Sequence, residues 1–114
     1  MKSAKHFVEV ITTAWNQLDA ELIIKHLDES FIYDSQWVFD SLDYSGYINY
    51  IRGKFATLKN SIFIIVAETV ADPQFGGYMT KISQTNPTTN NTAVVFYRVQ
   101  VRDNKIVKGD LCMF

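Results

Sequence analysis

Along the first third of the chain, apolar residues recur at helical spacing. Val10, Ile11, Ala14, Trp15 and Leu18 fall 3, 4, 7, 8 and 11 positions after Phe7. They make one apolar face of a 3.6-residue period. This predicts a helix from about Ser3 to Leu18, with Lys2, Lys5, Glu9, Thr13 and Asn16 off the stripe. Asp19 is placed to cap a second, short helix, Ala20 to Leu27, whose inner face holds Leu22, Ile23, His26 and Leu27.

The period then changes to two. Phe31, Tyr33, Ser35, Trp37 and Phe39 share one side of a predicted strand over 31–40, and Ile32, Asp34, Gln36, Val38 and Asp40 share the other. Ser45 is the expected cap of a third helix, Gly46 to Lys59, with Tyr47, Ile48, Ile51, Phe55 and Leu58 inward. Gly53 inside it costs about 1 kcal/mol relative to Ala, unless it permits a close approach. Four strands follow. Ile62 to Val70 is apolar on both faces, which calls for a second cover such as another subunit. Tyr78 to Thr85 comes next, then a turn at Asn86–Asn91. Ala93–Arg102 and Ile106–Met113 form a hairpin. A register pairing Tyr97 with Leu111 and Val101 with Val107 keeps apolar residues on one face. It sets Arg98 opposite Asp110 and leaves a turn of about three residues, Asp103-Asn104-Lys105. Helices first and strands after imply an α+β chain.

A chain of 114 residues is one domain, 1–114, and 47% hydrophobic content suffices for a core without a staple. Its single cysteine, Cys112, forms no intrachain bridge. A net charge of −1 argues against a nucleic-acid partner. The longest apolar run, Ile62 to Ala67, is far below the ~18 residues of a membrane span. The first residues, MKSAKHFVEV, lack the apolar core of a signal peptide, so a cytoplasmic protein is expected.

The order of elements, and the residues that mark it, resemble the nuclear-transport-factor-2-like superfamily, which includes SnoaL-like cyclases, ketosteroid isomerases and scytalone dehydratase. Trp15-Asn16 followed by Asp19 resembles the junction of its first two helices. Leu27-Asp28-Glu29-Ser30-Phe31 resembles its run into the first strand, Ser45-Gly46 the start of its third helix, and Asn104-Lys105-Ile106 its last hairpin. The resemblance implies a cystatin-like, cone-shaped roll: a curved, mainly antiparallel sheet wrapped around N-terminal helices. It also implies a pocket between sheet and helices, and a homodimer formed through the outer sheet face. Function varies widely on this fold.

Residues 31–50 hold 7 of the 16 aromatics, with Asp34, Asp40 and Asp43 among them and no basic residue. Such rings suit a pocket for a small apolar or aromatic molecule; they equally suit an ordinary core. In the pocket implied by the resemblance, Trp15, His26, Trp37, Tyr47, Ile51, Phe55, Tyr78 and Tyr97 are the candidate ligand-binding residues.

Asp34, with Tyr33 beside it, is the catalytic candidate: by resemblance, a carboxylate here acts as general base for proton transfer next to a carbonyl. Counting forward from Leu27 selects Asp34, whereas counting back from Gly46 selects Trp37. Alternation puts Asp34 opposite the most aromatic face. The isomerase's oxyanion tyrosine falls on Ile11, which cannot donate a hydrogen bond, so steroid isomerisation is disfavoured.

A dehydratase-like histidine pair has only His6 and His26 to draw on. No spacing suggests a metal site, and no cofactor motif is present. Three functions stay open: binding of a small apolar molecule, with isomerase, cyclase or dehydratase chemistry at Asp34; a non-enzymatic interaction module with its pocket filled by side chains; or a stress- or defence-related accessory protein whose partner is another protein.

Overall fold

The computed structural model describes residues 2–35 and 40–113. Trp37, one of the candidate ligand contacts, lies outside them.

Helix α1 spans Ala4–Gln17, capped by the Ser3 hydroxyl, which accepts from the His6 amide at 3.2 Å. Phe7, Val8, Ile11, Ala14 and Trp15 are buried, close to the expected stripe. The helix stops before Leu18, whose φ of 51° is left-handed, while the Asp19 amide bonds Ala14 O at 3.0 Å. Helix α2 is only Glu21–Ile24, not Ala20 to Leu27. Its N-cap is Ala20 and not Asp19, whose carboxylate nonetheless accepts from the Glu21 amide at 3.1 Å. The shortening has a tertiary cause: the His26 carbonyl accepts from the Ile106 amide at 2.9 Å, so the sheet takes over the backbone there.

Strand β1, Leu27–Ser35, begins earlier than its alternation suggested. Its Phe31 and Tyr33 are buried, while Ile32 is exposed and Asp34 half-exposed on the opposite side. Helix α3 runs Tyr44–Lys59. Its cap is Asp43, not Ser45: the carboxylate accepts from the Gly46 amide at 2.8 Å. Aspartate and serine are both strong caps, and with the helix starting at Tyr44 the cap is the residue before it while Ser45 lies inside the first turn. Gly53 faces open space, so no close approach requires it.

Strands β2 (Ile64–Ala71), β3 (Tyr78–Asn86), β4 (Asn91–Arg102) and β5 (Lys105–Cys112) complete a five-stranded sheet of order β1-β5-β4-β3-β2. β1 runs parallel to β5 and the other pairs are antiparallel. The hairpin register is as expected at Tyr97↔Leu111 and Arg98↔Asp110. It then shifts after Gln100, so that Val101 faces Ile106 rather than Val107. The correction follows from the turn. Asp103 and Asn104 both have positive φ, 52° and 64°, giving a two-residue connection whose twist matches the strands.

One sheet face packs against α1 and α3 around Phe7, Ile11, Trp15, Phe31, Tyr47, Phe55, Ile82 and Tyr97. Each edge strand is met at one residue. The Asn16 carboxamide bonds the backbone N–H and C=O of Ala67 on β2, at 2.7 and 2.9 Å. On β1, Tyr33 exchanges backbone bonds with Leu42 at 2.8 and 2.9 Å. The outer face of β2 is uncovered: Ile62 just before it, Ile64 and Val66 are 60%, 53% and 47% exposed.

Candidate functional site

The candidate residues separate into an interior group and a surface group. Inside, Tyr33, Tyr47 and Tyr97 are at most 2% exposed. Alternation on β1 and β4 turns Tyr33 and Tyr97 inward, and the helical period brings Tyr47 down onto them. Tyr33 lies 4.7 Å from Tyr47 and stacks on Tyr97 at 6.1 Å, centroid to centroid. The Tyr97 hydroxyl donates to that of Tyr47 at 3.0 Å. Phe31 packs on Tyr47 at 4.9 Å. Trp15 meets Phe55 edge-on at 4.8 Å, and Ile51 is buried in the same cluster.

Burial pushes the Tyr33, Tyr47 and Tyr97 hydroxyls well above the ordinary phenol range. They are therefore neutral donors at any physiological pH. Tyr50, one helical turn from Tyr47, joins the cluster 5.7 Å from Tyr33; the Tyr47/Tyr50 spacing is the signal that could have flagged it. Gly109 makes room for the cluster: a Cβ there would collide with Tyr97 Oη and meet Phe31 Cζ at 3.1 Å. The rings pack on one another between sheet and helices. Among the described residues, one buried polar side-chain atom has no hydrogen-bond partner, Nε1 of Trp15.

The other candidates are elsewhere. Asp34 is on the outer sheet face, where its carboxylate accepts from the Ser41 hydroxyl and lies 3.5 Å from Lys108 Nζ. Its register partner is Asp110, 3.8 Å from the same ammonium. Burial raises the Asp110 carboxyl, with Asp34 adding to the rise and Lys108 opposing it. Tyr78 is 45% exposed under the ammonium of Lys5, away from the interior cluster. His26 sits in a surface groove beside α1, with its pKa lowered chiefly by burial and further by Lys25 and the other basic side chains around it.

Arg98 stands opposite Asp110 in register but directs its guanidinium to Asp72, Nε to Oδ2 at 2.6 Å. The expected Arg98–Asp110 pair is thus replaced by a nearly buried one. Asp72 also accepts from the amides of Gln74 and Phe75 at 2.9 and 3.1 Å, which ties down the loop between β2 and β3. In sequence, Asp72-Pro73 signals only a turn; its partner is 26 residues away. Among the described residues no group of three His, Cys, Asp or Glu gathers as a metal site, and no helix is long and apolar enough to cross a membrane.

No protein-family model and no curated protein matches the sequence. Solved structures do match. A cystatin-fold protein from Novosphingobium aromaticivorans superposes with a TM-score of 0.73 at 12% identity, covering 99% of this chain and 100% of that one. A SnoaL-like protein from Burkholderia thailandensis gives 0.62 at 18% identity, over 96% and 92%. A protein with a ketosteroid-isomerase-like fold from Catenulispora acidiphila, solved with trimethylamine, gives 0.66 at 9% identity, over 97% and 87%. The chain has the nuclear-transport-factor-2-like, cystatin-like α+β fold. Identities this low carry the fold and not the activity.

Proposed function

We propose that this chain is a non-catalytic interaction module that works through its outer surface, and that its outer β2 face seats a second copy of itself. The observation that supports this reading is the buried contact of Tyr33, Tyr47 and Tyr97 with one another between sheet and helices. Asn16 and Leu42 each cover one residue of an edge strand, while the outer face of β2 is open. Ile62, Ile64 and Val66 form an apolar rim there. Behind it, Glu68, Lys81, Phe96 and Cys112 are successive register partners in one row. A face carrying apolar groups beside an acid and a base can be complementary to itself across a two-fold axis.

Sedimentation equilibrium tests this reading. Wild type is expected at twice the 13.1 kDa chain mass. Ile64→Lys/Val66→Lys should be monomeric with an unchanged circular dichroism spectrum. A monomeric wild type, or a dimer indifferent to both lysines, overturns it.

A second reading is supported by the unpartnered Trp15 Nε1, a donor that a ligand acceptor would satisfy. Here the chain is a small-molecule-binding protein of SnoaL-like kind, holding an apolar or aromatic ligand near Trp15, Tyr47, Phe55 and Tyr97. Isomerase, cyclase or dehydratase chemistry would need a carboxylate base. Ligand binding requires the tyrosine stack to part, and Asp34 to reach inward against the pleat of β1.

A further inference from the structure

A groove of about 410 Å³ opens between α1 and the segment that carries α2 into β1. Its apolar floor is Val10 and Leu22, and His6, His26, Lys2 and Lys25 stand around it. The two imidazoles are 6.3 Å apart, edge to face. Lys105 reaches the Lys25 carbonyl at 3.3 Å from a neighbouring groove that it shares with Asp28 and Glu29. Glu9 is the single acid of the lining, and Thr13 supplies a hydroxyl. Among the described residues, no carboxylate lies within ion-pair distance of Lys2 or Lys25. Glu9 alone does not balance the two lysines, whose ammonium groups repel one another, and a bound anion relieves that repulsion.

We infer that this groove binds a small organic anion, its phosphate or carboxylate oxygens held by Lys2, Lys25, His6 and His26 and its apolar body laid on Val10 and Leu22. The volume is within the range of small-ligand sites, about 300–1,000 Å³. The recognising contacts are charge-assisted hydrogen bonds from ammonium and imidazole donors. His26 faces the ammonium groups of Lys25 and Lys2 and, from the neighbouring groove, Lys105, with the His6 imidazole beside it, while Glu9 is the only carboxylate in the lining, so a bound anion should draw a proton onto its ring. Binding should therefore tighten as pH falls through the imidazole range. This site is independent of the outer sheet face and of its dimerisation.

The test follows the imidazole Cε1–H signals of the full chain by NMR during titration with phenyl phosphate and, separately, benzoate. Inorganic phosphate serves as the control without an apolar body. The expected result is a saturable shift of both histidines with one organic probe or both, and a higher titration midpoint for His26 at saturation. Which probe binds tighter distinguishes phosphate from carboxylate. Lys2→Gln/Lys25→Gln, both exposed positions, should weaken binding about tenfold or more, as expected for the loss of two charge-assisted contacts. No saturable shift with either organic probe overturns the inference. So does equal affinity for inorganic phosphate, or an affinity unchanged in the double variant.

Discussion

Asn16 holds Ala67 by both of its free backbone groups: the carboxamide oxygen accepts from the Ala67 amide at 2.7 Å and the nitrogen donates to its carbonyl at 2.9 Å. A polar residue off the apolar stripe of α1 thereby acts as a surrogate strand at the edge of the sheet. Asn16→Ala leaves both groups of Ala67 to solvent and is expected to cost about 1–2 kcal/mol in urea unfolding. Aggregation on standing should increase as the edge opens. An unchanged midpoint would show that the contact contributes nothing.

Gly109 and Tyr97 predict a specific rescue. Gly109→Ala drives a methyl into Tyr97 Oη and against Phe31 Cζ, and overpacking of this kind costs about 1–3 kcal/mol. Tyr97→Phe removes the colliding oxygen. The double variant should therefore be less destabilised than the sum of the single variants, as measured by a double-mutant cycle. Simple additivity would contradict the placement of the ring.

At Gly53 the expected change has the opposite sign. It is exposed within α3 with open space where a Cβ would go. Gly53→Ala should stabilise the protein by about 0.5–1 kcal/mol in chemical denaturation.

Two carboxylates predict opposite pH behaviour. The Asp72 carboxyl is held below its ordinary value, chiefly by the hydrogen bond from Arg98. Its stabilisation is present above the unfolded-state value and is lost as pH falls through the folded one. Asp72→Asn should thus lower the melting temperature at pH 7, with the difference shrinking in acid. The Asp110 carboxyl is raised, chiefly by burial. Its neutral form suits the folded state, so ionisation weakens stability as pH rises through the folded value. Asp110→Asn should melt at or above wild type at pH 7, with the gain vanishing in acid. Melting curves at pH 7 and pH 3 check both signs.

The architecture was legible because its signals are local or ordinal. The stripe from Phe7 through Trp15 specifies α1, and alternation around Tyr33 already places Asp34 on the far side. The order of elements carried the resemblance, and the solved structures agree with that fold. What was not legible depends on distant partners. The end of α2 is set by Ile106, and the choice between Asp43 and Ser45 by the start of the helix at Tyr44. Arg98 turns to a loop carboxylate rather than its register partner. Whether Tyr33, Tyr47 and Tyr97 line a space or fill it is a matter of volume, which no one-dimensional pattern encodes.

The central claim is that these rings pack on one another in the interior and leave function to the surface. Ring-proton NMR signals of Tyr33, Tyr47 and Tyr97, followed during titration with the neutral aromatic 2-naphthol, test it most directly. The account predicts signals that do not move with added probe. Saturable shifts at all three tyrosines would contradict it and restore the interior as a binding site.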